Sequence, residues 1–235
     1  MTPVDPARPV RRLALLGAGF LLVAAVVAPL AVLVRGRWRP LVDLDAATVG
    51  SARAHGALHT LAGVVTWLGV PGLLEATGVV VALWLLRAGR GRSALYLAVA
   101  IGGGQLLSLV TKAVVHRTRP CALAAPVQHC PAGYSFPSGH AIAASAGYLA
   151  LAVVVVPMLA GRLRRLAVGV ALVVPLLVAA SRVVLGVHYL SDVLAGLALG
   201  WGWVAMCTAV FTRWRAEEGR PVHPLTEGVD PVPAS

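Results

Sequence analysis

Long apolar runs separated by short, arginine-bearing polar stretches dominate the chain. A bilayer core about 30 Å thick needs about 20 apolar residues in a helix. Runs of that kind predict spanning helices at Leu13–Val34, near 72–86, at Ser93–Val115, Gly139–Ala160, Leu166–Leu185 and His188–Thr212. Ala57–Leu86 is apolar throughout but broken by Pro71-Gly72 and Glu75, so its first part, near 51–69, is expected to lie at the membrane interface. Residues 35–56 are polar, residues 116–138 form a loop rich in Pro and Cys, and the stretch from Arg213 to Ser235 lacks periodicity. No internal repeat is visible. The pattern predicts an all-α, polytopic membrane helical bundle of about six transmembrane helices. It divides into a cytoplasmic N-terminus (1–12), a membrane domain (13–212) and a disordered cytoplasmic tail (213–235).

Composition sharpens this reading. Hydrophobic residues make up 58% of the 235 residues and charged residues 12%, about half the share of an ordinary soluble domain, which argues against a soluble protein. Mean hydropathy is +0.83. The net charge of +11 falls in short clusters between apolar runs, so it marks topology rather than a nucleic-acid partner. Leu13–Val34 is longer than the h-region of a signal peptide and reads as a retained span. Arginines at 8, 11 and 12, at 87, 90 and 92, at 162, 164 and 165, and at 213 and 215 share one side of a six-span layout. By the positive-inside rule that side, with both termini, is cytoplasmic. Arg35, Arg37, Arg39 and Arg53 then fall on the outer side, against the rule. The 116–138 loop and the turn near 186 also face outward.

Most of the unexplained polar residues gather in those outward regions, and ionisable groups at membrane depth are functional candidates. Three clusters emerge. Lys112 and Arg119, two turns apart on one helix face if Pro120 ends the helix, present two cations suited to phosphate. Ser138-Gly139-His140 opens a span: Ser138 as N-cap, Gly139 admitting a ligand to free backbone N–H groups, and His140 as a proton donor. Arg182 closes one span, Gly186 turns the chain, and His188 and Asp192 stand one helical turn apart. The carboxylate can hold one ring nitrogen and leave the other free as nucleophile or base. Each cluster alone has a plain structural reading: an interfacial lysine, a turn histidine, a capping aspartate.

Taken in order, K-x6-R-P (Lys112, Arg119, Pro120), P-S-G-H (Pro137 to His140) and S-R-x5-H-x3-D (Ser181, Arg182, His188, Asp192) resemble the type 2 phosphatidic acid phosphatase family. The resemblance implies a metal-independent integral membrane lipid phosphatase without a cofactor, working through a phosphohistidine. His188 would be nucleophile, Asp192 its orienting partner and His140 the general acid. Lys112, Arg119, Ser138, Gly139 and Arg182 would bind the phosphate. Chain and family leave the substrate open between a phosphatidic acid or phosphatidylglycerophosphate type, an undecaprenyl diphosphate type and a polyprenyl-phosphosugar phosphate. Membrane lipids are the other expected partners, and oligomeric state stays open. The competing class is a transporter or non-catalytic anion-binding membrane protein, which would need cations but not an acid and a nucleophile. Phosphate release in EDTA separates the two.

Of the three cysteines, Cys121 and Cys130 bracket the outward loop, where an oxidising compartment allows a disulfide, while Cys207 reads as packing. Arg117 reads as a phosphate or headgroup contact, and Glu75 as a cap or as a partner for a site arginine. His116 and His129 lie near the clusters. His55, His59 and Trp67 suit the interface. Gly102-Gly103-Gly104 and Gly200-Trp201-Gly202 suit close helix packing. Lys112 is the single lysine among twenty basic residues.

Overall fold

A computed structural model describes residues 21, 24–25, 27–52, 56–123, 130–217 and 229. Among these, all regular structure is helical. Residues 21, 24–25 and 27–35 are the described residues of α1. The next four helices are α2 (Arg39–Ala52), α3 (Ala57–Thr66), α4 (Pro71–Arg87) and α5 (Gly91–Leu97). They are followed by α6 (Gly103–Val115), α7 (Pro120–Leu123), α8 (Gly139–Val155), α9 (Gly161–Val184) and α10 (Leu190–Glu217). A π-helical turn, Ala98–Gly102, joins α5 to α6 in one span.

Five helical stretches among the described residues are long and apolar enough to cross a membrane: Ala57–Arg87, Gly91–Val115, Gly139–Met158, Gly161–Val184 and Leu190–Arg213. The sixth expected span, Leu13–Val34, lies largely outside the described residues, as does His129. Large side chains such as Leu61, Val64, Val80, Leu106, Leu109 and Leu166 are exposed, as a lipid-facing surface requires.

Several boundaries differ from expectation. The break between α3 and α4 falls where expected, at an extended Val70 followed by Pro71 as the first helical residue. The stretch 35–56 is not a plain polar connection, because α2 occupies most of it. Val42, Asp45 and Val49 recur at helical spacing on its inner side, with Asp45 and Val49 buried. The fifth span begins earlier than Leu166. Gly161, at φ 54, lets the chain turn, and Arg162, Arg164 and Arg165, good helix formers, enter the first turns of α9. Likewise α10 runs on to Glu217, taking in the first residues expected of a disordered tail. Val229 is buried in the cluster containing Tyr96, Leu97 and Phe211.

The closest helix pair is α8 with α10. A β-carbon on Gly196 would stand 2.8 Å from both the Ala141 side chain and the Ser138 carbonyl oxygen, and one on Gly200 would collide with Ser145. Two glycines a turn apart therefore let the backbones meet, the small-residue device of membrane helix pairs. Of the expected glycine runs, Gly103 packs against Trp203 and Gly104 against Ala146, whereas Gly102 has open space.

Candidate active site

The site grows from the α8–α10 contact. Ser138 precedes α8 and its backbone N–H donates to the Asp192 carbonyl at 3.0 Å, so the second and third clusters are stitched together at the main chain. Beside them the chain leaves α9, turns at Gly186 (φ 67), and returns His188 N–H to the Arg182 carbonyl at 3.3 Å. His188 lies in this turn rather than in the helix, which begins at Leu190. The pair forms nonetheless: His188 Nδ1 stands 3.4 Å from Asp192 Oδ2. The same oxygen accepts the Tyr189 N–H at 3.0 Å, so Asp192 both caps α10 and faces the imidazole.

Lys112 and Arg119 are not on one helical face. The helix ends at Val115, His116 adopts a left-handed φ of 52, and Pro120 starts a short helix instead of ending a long one. The chain reverses instead, and residues 133–137 run back beside it: Ser135 N–H donates to the Arg117 carbonyl at 2.8 Å. Carbonyls of this returning stretch hold both cations. Lys112 Nζ donates to Tyr134 and Pro137 oxygens, each at 2.9 Å, and Arg119 Nε donates to the Gly133 oxygen at 3.0 Å. Cys121 and Cys130 are joined (S–S 2.06 Å) and tie α7 to the start of that stretch.

Arg119 Nη1 donates to His188 Nε2 at 2.9 Å and to the Val187 carbonyl at 3.2 Å. With Nδ1–H facing Asp192, the Nε2 lone pair is the acceptor. Arg182 Nη1 donates to Thr66 Oγ1 at 2.8 Å. His140, half-buried, lies within electrostatic reach of Arg182, His188, Arg119 and Lys112. Gly139 sits beside Lys112, whose Cε would be 4.0 Å from an added β-carbon. At this site two buried side-chain atoms have no hydrogen-bond partner among the described residues: Ser138 Oγ and Arg182 Nε. Ser138 thus occupies the N-cap position without making the cap bond. Such atoms cost about 1–3 kcal/mol each when left unpaired, so they are groups in want of a ligand.

Asp45 is not among the residues the sequence singles out, and Arg117, expected there as a phosphate or headgroup contact, takes a different place. Arg117 reaches away from the phosphate-suited cations. Its Nη1 donates to Asp192 Oδ1 at 2.7 Å and to Ser191 Oγ at 2.7 Å, and its Nη2 to Asp45 Oδ2 at 2.7 Å. Asp45 also accepts the Ser191 N–H at 2.9 Å and its hydroxyl at 2.6 Å. The guanidinium stacks 3.9 Å from the Tyr189 ring centroid. An aspartate on the buried stripe of an amphipathic helix was the signal available for Asp45. Glu75 is exposed and makes no ion pair among the described residues.

Burial pushes the His188 imidazole down to about 4, against the opposing pull of Asp192, so it is neutral at physiological pH. Burial also lowers the Arg119 guanidinium, with Asp192 in partial opposition. Around Arg117 burial works the same way, but Asp192 and Asp45 outweigh it and the charge is held more firmly than usual. Lys112, Arg117, Arg119 and Arg182 face Asp45 and Asp192, leaving two positive charges unbalanced. That excess matches a phosphate monoester, which carries close to two negative charges at pH 7. Three or more Asp, Glu, His or Cys side chains arranged to hold a metal ion do not occur among the described residues.

The fold and site therefore define a multi-pass helical membrane protein with an oriented His–Asp pair inside a ring of cations. Residues 93–216 match the PAP2 superfamily, and the chain belongs to that family. It is 33% identical over 138 residues to phosphatidylglycerophosphatase B of Bacillus subtilis (strain 168), covering 58% of this chain and 66% of that protein. It is 41% identical over 95 residues to decaprenylphosphoryl-5-phosphoribose phosphatase of Mycobacterium tuberculosis (strain ATCC 25618 / H37Rv), covering 40% of this chain and 48% of that one. The matched segments thus span just under two thirds and about half of these relatives. The crystal structure of a transmembrane PAP2-type phosphatidylglycerolphosphate phosphatase from Bacillus subtilis is similar, with a TM-score of 0.67 and 26% identity. The match covers 90% of this chain and 98% of that one.

Proposed function

We propose that this protein is an integral membrane lipid phosphatase that removes a terminal phosphate at a site facing away from the cytoplasm. The observation that carries this is His188, held between Asp192 at Nδ1 and Arg119 at Nε2, among cations with two charges to spare. A binding site needs the cations. It does not need a buried neutral imidazole oriented by a carboxylate.

The substrate phosphoryl oxygens take the Arg119 guanidinium and the unpaired Ser138 Oγ and Arg182 Nε, with Lys112 and the backbone beside Gly139 completing the cradle. Moving Arg119 onto the phosphate frees the Nε2 lone pair. Nε2 attacks phosphorus, the bond to the leaving oxygen breaks, and His140, which takes up a proton once the phosphate dianion offsets the surrounding cations, gives that oxygen its proton. Water then attacks the phosphohistidine, His140 takes the water proton, and the N–P bond breaks to restore neutral His188. Asp192 stabilises the positive charge that develops on the ring. Positioning and charge neutralisation carry most of the barrier lowering in phosphoryl transfer, and here side chains rather than a metal supply them. Asp45 and Arg117 act through Asp192 as positioning residues.

A glycerophospholipid substrate of the phosphatidylglycerophosphate type is favoured by the similarity to the Bacillus subtilis sequence and crystal structure, and a polyprenyl-linked sugar phosphate by the mycobacterial relative. Both carry a phosphomonoester, which the two-charge excess suits. The outward orientation rests on the arginine asymmetry, and the Cys121–Cys130 bond agrees with an oxidising compartment. Phosphate release by the purified full-length protein in detergent, with EDTA present, from phosphatidylglycerophosphate, phosphatidic acid, undecaprenyl diphosphate and a polyprenyl-phosphosugar phosphate tests the reading. Release from a monoester despite EDTA is expected. No release from any substrate would return the protein to the anion-binding class.

A further inference from the structure

The arginines that break the positive-inside pattern have a structural setting of their own. Arg35 and Arg37 line a cavity of about 520 Å³ together with His116, Arg117 and Tyr189, and none of the fixed positions of the three motifs lines it, only residues between them. Val34, Val42 and Val115 form an apolar wall, and no carboxylate faces the space. Arg117 adds no free positive charge to the cavity, since it is paired with two carboxylates, Asp45 and Asp192. Arg35 is fixed by one bond, Nη1 to the Val114 carbonyl at 2.7 Å, which pins the end of α1 to the end of α6. The unbalanced charge of the cavity is therefore that of Arg35 and Arg37.

A second observation points to the same place. Among the described residues, the non-glycine positions with positive φ are Arg37 (φ 51) and His116 (φ 52). Side-chain-bearing residues avoid that region, and glycine is the usual occupant of such a helix end. Glycine stands next door at Gly36, yet the left-handed position itself carries an arginine. Both strained residues are basic and both line this cavity. Backbone strain held by basic side chains around one space is the pattern expected where a ligand is gripped.

We propose that this cavity binds the phosphodiester of a lipid headgroup, with Arg35 and Arg37 on the phosphate and the valine wall against the start of the chain. A phosphodiester carries a single negative charge at all physiological pH, which two exposed guanidiniums can hold, and every membrane glycerophospholipid other than phosphatidic acid has one. Two sources supply that group: a separate phospholipid of the bilayer, or an internal phosphodiester of the substrate itself. The second source rests on the proposed phosphatase activity; binding alone does not.

The test uses full-length protein in detergent, with dioctanoyl phosphatidylglycerol as probe in equilibrium titrations and with kinetics on two substrates. Saturable binding is expected, weakened at least 10-fold in Arg37→Gly and largely retained in Arg37→Lys. Glycine accepts the left-handed turn, so Arg37→Gly should unfold at no lower temperature than the parent, which separates lost binding from lost fold. If KM then rises for phosphatidylglycerophosphate, which has an internal phosphodiester, but not for phosphatidic acid, which has none, the ligand is the substrate's own phosphodiester. If neither KM moves while binding is lost, it is a separate bilayer lipid. Equal binding by Arg37→Gly and the parent overturns the proposal. So does equal displacement of the probe by phosphate-free dioctanoylglycerol, or a rise in KM for both substrates, which would put Arg37 in the catalytic site.

Discussion

The proposed catalytic cluster has two supporting sides, and they are built differently. On the α8–α10 side the fit is steric: Gly196 and Gly200 bring backbones into contact and Ser138 N–H bonds the Asp192 carbonyl. On the α2 side the fit is electrostatic: Asp45, Arg117, Ser191 and Asp192 form a chain of four charge-assisted bonds, all 2.6–2.7 Å long. The first side carries the groups proposed to react; the second fixes the carboxylate behind them. Buried ion pairs contribute little net stability but leave costly orphans when halved. The α2 side is therefore where a change should alter chemistry through charge, and the α8–α10 side where it should act through contact.

Substitutions can break that comparison at several strengths. On the reacting side, His188→Ala should lower phosphate release from purified protein by at least about 10⁴-fold, the scale seen when a nucleophile is removed, without shifting the unfolding temperature downward. Asp192→Asn, with the carboxylate lost but the shape kept, should cost about 10³–10⁴-fold in kcat/KM, measured on the same substrate.

On the electrostatic side, Asp45→Asn and Arg117→Met should each lower kcat/KM by about 10–100-fold, as supporting shells behind a catalytic ligand do. Arg117→Met carries a distinctive sign. His188 is neutral above about 4 in the parent, so activity should be lost as pH falls through about 4. Removing the Arg117 cation leaves the Asp192 charge unopposed, which favours imidazolium. The acid limb of kcat/KM against pH should then move upward, toward the ordinary histidine value near 6.5. An unmoved acid limb would reduce Arg117 to a packing residue.

The smallest effect belongs to the disulfide. Cys121 and Cys130, nine positions apart, tie down the stretch whose Gly133 and Tyr134 carbonyls hold Arg119 and Lys112. Replacing both with Ala should lower stability by about 2–3 kcal/mol and reduce activity less than the α2-side changes. Denaturant unfolding with and without reductant reads the first, and steady-state kinetics the second.

This division also tracks what the chain discloses before it folds. Ser138, Gly139, His140, Arg182, His188 and Asp192 stand in short fixed spacings at the ends of apolar runs, so local periodicity and a family resemblance expose them. Lys112 and Arg119 were legible as a pair, but the helix expected to unite them ends at Val115, and their proximity comes from a chain reversal that hydropathy does not encode. Asp45 was illegible for a different reason. It lies far along the chain from its partners in a stretch that averages polar. Only the α2 register, with Asp45 between Val42 and Val49, turns it inward. Arg117 looked like a phosphate or headgroup contact because its two carboxylate partners lie on elements distant in sequence.

The central claim is the covalent role of His188, and trapping tests it most directly. With p-nitrophenyl phosphate, the leaving oxygen needs no proton, so His140→Ala should still form the intermediate and fail to hydrolyse it. Quenching that variant with labelled substrate in EDTA should give protein carrying acid-labile, alkali-stable phosphate on His188, absent when His188→Ala is added. No covalent label, or a label that survives His188→Ala, would contradict the account.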